Sequence, residues 1–206
     1  MGIYSRWIFP YLLDGVMADP AFGQYRRQVL ADVSGEVLEI GFGTGLNLAY
    51  YPETVTRLTT IDPNRGMNAL AQRRIQASNR VVDHHVLTSE QLPIADASFD
   101  WVVSTWTLCS IAQIDQALQE IHRVLKPGGK FAFIEHGLSD DPTLQRWQHR
   151  LTPLQKVIAD GCHLDRNIHQ LVQAVFPDVS VRTFYAPHMP KIGGYLYQGV
   201  AVKAGV

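Results

Sequence analysis

The stretch Glu39-Ile40-Gly41-Phe42-Gly43-Thr44-Gly45-Leu46-Asn47 constrains this chain more than any other. It follows a short apolar run that reads as a buried strand and leads into a helical one, so its glycines occupy the tight turn of a βα unit. Glycine there tolerates positive φ and lets a ligand approach the backbone, while unpaired N–H groups at the helix start attract a carboxylate. Asp62 closes the next strand-like run, 21 residues after Gly41. At that spacing a carboxylate accepts hydrogen bonds from both hydroxyls of a ribose. A dinucleotide turn wants a further glycine at position 46, where Leu46 stands. The G-x-G-x-G form, with Glu39 two residues ahead of it, suits a nucleoside carrying a cationic amino-acid head group. Glu39 would face the ammonium, since a buried carboxylate without such a partner is costly unless otherwise hydrogen-bonded.

The pattern around this turn predicts strands at 36–40, 57–61, 81–87, 99–105 and 131–135, with helices at 47–51, 64–77 and 114–125 between them. Asn64 is placed to cap the second helix, and Lys126-Pro127-Gly128-Gly129 to stop the third. Alternation of this kind implies a parallel sheet covered on both faces. Helices at 144–159 and 167–175 follow, then strands at 179–185 and 195–202. Nine residues join these last two, too few for a crossover helix, so the final strand runs antiparallel. The expectation is an α/β, doubly wound sheet of seven strands, mostly parallel, with the last one reversed.

At 206 residues the chain is expected to form one domain burying about 70% of its unfolded surface. That domain comprises a helical lid at 1–34, a ligand-binding half at 35–135, and a second-substrate pocket with the final strand pair at 136–206. Eighteen Lys and Arg against nineteen Asp and Glu leave a charge of −1, which argues against nucleic acid as a partner. Cys109 and Cys162 are too few for a disulfide framework, no C-x-x-C or His/Cys cluster suggests zinc, no metal site is expected, and a reducing, cytoplasmic setting is expected. The apolar stretch Ile3, Tyr4, Trp7, Ile8, Phe9, Tyr11, Leu12 and Leu13 is broken by Pro10 and Asp14, short of the ~20 residues a spanning helix needs. A helix over the domain or its cleft is the expectation, with weak peripheral membrane contact as the alternative.

Together these motifs resemble the class I S-adenosylmethionine-dependent methyltransferases, from Gly35 onward, with their Rossmann-like fold. The resemblance implies that Glu39, Gly41, Gly43, Gly45, Asn47, Asp62, Pro63 and Thr105 bind S-adenosylmethionine, with S-adenosylhomocysteine as product. It also implies adenine contacts from Thr88, Ser89 and Glu90. Thr88 stands where many members carry Asp. Trp106-Thr107-Leu108-Cys109-Ser110, Glu135-His136, and Asp160-Gly161-Cys162-His163-Leu164-Asp165-Arg166 add a narrower resemblance to the methyltransferase-like seven group. Pro187-His188 and Gly199-Val200-Ala201-Val202-Lys203 extend it. Characterised mammalian members of that group methylate small thiols and sit on membranes through an amino-terminal segment.

A thiol must ionise before it attacks a methyl group. His136, just past the fifth strand, is expected either to take that proton or to cap the strand end. Asp160 either orients His136 or His163 or caps a helix. Trp7, Tyr11, Trp106, Leu108, Cys109, His163 and His188 are expected around an apolar acceptor, with Cys109 as pocket wall. The resulting expectation is methyl transfer to a small, largely apolar molecule, a thiol favoured. A phospholipid amine or a quinone-like carbon or oxygen is the alternative acceptor, and a non-catalytic cofactor-binding protein the alternative class.

Overall fold

The computed structural model describes residues 3–187 and 189–205, so the expectation for His188 lies outside the described residues. The strands are β1 (Gly35–Ile40), β2 (Val55–Ile61), β3 (Val82–His85), β4 (Phe99–Thr105), β5 (Leu125–His136), β6 (Asp178–Tyr185) and β7 (Tyr195–Val202). They form one sheet in the order β3-β2-β1-β4-β5-β7-β6. Only β7 is reversed, antiparallel to both β5 and β6.

Side chains alternate between two cores, as the period of a strand requires. Leu38, Val102, Phe131 and Phe133 face one side, Val37, Val103, Ala132 and Ile134 the other. On the first side lie α5 (Ile114–Val124) and α7 (Ile168–Gln173). The apolar stripe of α5, Ile114, Ala117, Leu118, Ile121 and Val124, is wholly buried. The second side is covered by α3 (Pro20–Leu30) and α4 (Asn68–Ala77).

Several boundaries differ from the sequence expectation. The first helix is a single 3-10 stretch, Leu46–Tyr50. Asn64 does not cap α4, which starts at Asn68 behind Met67. The Asn64 side chain is spent instead on Gly66 N, Ser5 O and Asp160. β3 covers only four residues. β5 starts at Leu125, because the Lys126–Gly129 turn is absorbed as a register irregularity between Phe99 and Trp101 of β4.

Before the sheet come α1 (Ile3–Trp7) and α2 (Phe9–Met17), and after β5 comes α6 (Pro142–Ile158). Asp141 caps α6 through Thr143 N, with Pro142 at its first turn. Buried Gln148 fastens α6 by accepting from Ser139 N and donating to Gly137 O and Ile192 O. Among the described residues no helix is long and apolar enough to cross a membrane.

Candidate active site

The sheet order reverses at β1, which lies between β2 and β4, and the crevice beyond such a switch point is where open α/β sheets place ligands. A cavity of about 490 Å³ occupies it. Glu39, Gly41, Gly43, Asn47, Asp62, Pro63, Thr88, Ser89, Glu90 and Thr105 all line it.

The three glycines are needed for different reasons. Gly41 has φ +71°, and a Cβ there would collide with Thr107 at 2.1 Å; the constraint comes from the loop after β4. Gly43 has φ +58° and open space beyond its Cα, with nothing nearer than Gly41 O at 3.9 Å. A ligand is therefore free to approach it. Gly45 does not line the cavity; it starts the 3-10 turn in a left-handed conformation.

Asp62 is buried and shaped by the turn itself. Its Oδ2 accepts from Gly43 N and its Oδ1 from Asn64 N, both at 2.8 Å. Burial raises its pKa to about 6 against these two hydrogen bonds. Glu39 is buried deeper. Asn47 Nδ2 donates to one of its oxygens at 2.8 Å and Tyr51 OH to the other at 2.7 Å. Burial still drives it up to about 8, while Asn47 Oδ1 beside it is buried with no partner. An unmet acceptor and a carboxylate kept from ionising both answer to a cationic, hydrogen-bonding head group, so the residues present fit an amino-acid-bearing nucleoside.

That state has a measurable consequence. Because the folded pKa of Glu39 exceeds its unfolded value, the cofactor-free protein loses stability as pH rises from the ordinary Glu range through about 8. Binding a cation against Glu39 at pH 7 is expected to expel about one proton. Calorimetry in buffers of different ionisation enthalpy should show this, and Glu39→Gln should abolish it.

The far wall is built differently. Cys109 from the loop after β4, His136 from the end of β5 and Cys162 from the turn after α6 all line the cavity. Their donor atoms lie within 4.8 Å of one another. His136 Nε2 is 3.0 Å from Cys162 Sγ, and His136 Nδ1 is buried without a partner. The Cys109 sulfur and burial push the Cys162 thiol well above its usual range. Sequence reasoning found no Cys/His cluster because these residues converge only in the fold.

Other expected pocket residues lie elsewhere. Trp7 and Tyr11 are 63% and 56% exposed and face outward; the inner face of α2 is Phe9, Leu13 and Met17. Large apolar residues stand on both faces of α2, so hydrophobicity alone did not choose the inner one. Leu108 is buried in the sheet core, and His163 turns to Cys109 O at 3.0 Å. Trp106 does line the cavity. Its ring meets Phe22 edge-on at 5.3 Å and lies under the buried Arg26 guanidinium at 4.9 Å.

Among the described residues no hydrogen bond joins Asp160 to either histidine. Its carboxylate accepts from Ser5 Oγ of α1 and from Asn64 Nδ2, so it ties α1 and the turn after β2 to the end of α6. A second tie holds α2. Asp14 accepts from Arg74 at 2.7 and 3.1 Å and from Thr44 Oγ1 at 2.5 Å. Burial alone would raise Asp14, but Arg74 and Thr44 hold it below its ordinary pKa. Asp14→Ala is expected to cost about 1–2 kcal/mol and to make residues 3–17 the first site of limited proteolysis.

Comparison with known proteins agrees with this geometry. A family model described as "Methyltransferase domain" matches residues 38–133. The human thiol S-methyltransferase TMT1A is 34% identical over 98% of this chain and 88% of its own length. A phosphatidylethanolamine N-methyltransferase from Cereibacter sphaeroides is 28% identical over 82% of each. Among solved structures, a SAM-dependent methyltransferase from Thermotoga maritima superposes with a TM-score of 0.69 over 98% of both chains, at 21% identity.

The chain belongs to the S-adenosylmethionine-dependent methyltransferases, and S-adenosylmethionine is its cofactor. Within that family its narrower resemblance is to the thiol S-methyltransferases.

Proposed function

We propose that the protein transfers the methyl group to the thiol of a small, largely apolar molecule. The observation that carries this reading is the continuity of one cavity. The same cavity is lined by the glycine and acid cradle, by Cys109, His136 and Cys162, and by the apolar Phe9, Leu13 and Met17. The sulfonium supplies the reactive methyl carbon when bound, and the chain has to position the acceptor, exclude water and promote loss of the thiol proton. Apolar walls serve the first two tasks, and His136 is the cavity-lining group assigned to the third.

A second reading is favoured by one surface. Trp7, Ile8, Tyr11, Leu12 and Val16 of α1 and α2 and the segment between them are exposed, as are Trp147, Leu154 and Val157 of α6. Tyr4 OH joins these helices by donating to Ile158 O at 2.8 Å. A face of this kind suits peripheral contact with a lipid surface, and so a phospholipid amine as acceptor.

Labelled S-adenosylmethionine offered with soluble alkyl thiols, phenols and amines, and with phosphatidylethanolamine vesicles, decides between them. Label in thioether products supports the thiol reading. Label confined to vesicle lipid overturns it in favour of the amine.

A further inference from the structure

We propose that Cys109, His136 and Cys162 form a three-ligand zinc site whose fourth position receives the acceptor sulfur; this second role rests on the thiol reading above. Two sulfurs and one imidazole within 4.8 Å of one another match the donor set and count of catalytic zinc sites, which keep one position open. With Zn–S near ~2.3 Å and Zn–N near ~2.0 Å, tetrahedral donors sit roughly 3.5–3.8 Å apart. The 3.0 Å between His136 Nε2 and Cys162 Sγ therefore opens by about half an ångström on binding.

Both cysteines are buried, at 2% and 6% exposure, and free. His136 has one nitrogen on a sulfur and the other without a partner. Nε2 is the nitrogen that faces the Cys162 sulfur, and all three residues border the cavity.

The chemistry balances without an oxidant or reductant. Both cysteines bind as thiolates, so zinc and its protein ligands carry no net charge. The acceptor R–SH binds at the fourth position as R–S⁻, and its proton leaves to solvent. A sulfur lone pair of that thiolate forms the new C–S bond. The methyl C–S bond of the sulfonium breaks, and its electron pair stays on the cofactor sulfur. The neutral thioether is a weaker ligand than a thiolate and leaves.

The test uses full-length, reduced, metal-free protein titrated with Co²⁺ alone. One equivalent should produce a thiolate-to-cobalt charge-transfer band, and one equivalent of Zn²⁺ should displace it. Cys109→Ser and Cys162→Ser should each weaken zinc binding more than about 100-fold, since even changes around the ligands cost 10–100-fold. Retained S-adenosylhomocysteine affinity would show that these variants fold. Absence of the band, or a band unchanged in both serine variants, overturns the site. Thiol methylation at an undiminished rate by metal-free protein overturns the inference and leaves the thiol reading standing. Cobalt binding with no thiol methylated keeps the site and removes the acceptor role.

Discussion

Asp62→Ala is expected to weaken S-adenosylmethionine binding by about 10²- to 10⁴-fold, because each of two hydrogen bonds to a charged acceptor contributes roughly 1.5–3 kcal/mol. The alanine also strands Gly43 N and Asn64 N, which now donate to Asp62 at 2.8 Å, so the turn loosens around the ligand. Asp62→Asn keeps an oxygen in place and separates the two effects: it should retain the fold while still losing most affinity. In the native protein the pKa of about 6 sets a direction. Protonation turns an acceptor into a donor, so the Asp62 contribution holds above about pH 6 and is lost as pH drops through it, beneath the further rise in affinity that ionisation of Glu39 gives up to about pH 8. Gly43→Val should act by another route, combining strain at φ +58° with a side chain in the ligand's space. Calorimetry on the three variants measures all of this, and unchanged affinity in Asp62→Ala and Gly43→Val would remove the assigned cradle.

His136→Ala is expected to lower turnover by about 10²- to 10⁴-fold with cofactor affinity nearly intact, because His136 stands on the sulfur-lined wall and not in the Glu39–Asp62 cradle. The loss should shrink as pH approaches the acceptor's own pKa, near ~8.5 for an unperturbed thiol, where the thiolate forms unaided. This dependence belongs to the acceptor and holds whether His136 takes the proton itself or ligates a cation. A loss constant across pH would speak against any part in ionising the acceptor.

The cradle was legible in the sequence because it is local. Strand, glycine turn, helix and Asp62 lie within a 27-residue window, Glu36 to Asp62, and each answers to a backbone or hydrogen-bonding rule. The reversed last strand followed from a linker too short to cross over, and β7 begins and ends where alternation placed it. What was not legible depends on the third dimension. Cys109, His136 and Cys162 are 27 and 26 residues apart along the chain, a spacing that carries no metal signature. The inward face of α2 was hidden because its outward face is also apolar. Asn64 misled because its side chain serves long-range partners, Ser5 and Asp160, instead of the adjacent helix. Asp160 reads locally as a helix terminus and acts globally as a tie.

Those ties join the cavity wall to the helices that cover it. Thr44 and Asn64 both line the cavity and also hold the amino-terminal helices, through Asp14 and through Ser5 and Asp160. The cover and the cavity wall therefore share side chains. Freeing the amino-terminal helices, as Asp14→Ala does, is therefore expected to disturb the Thr44 and Asn64 part of the cavity wall as well.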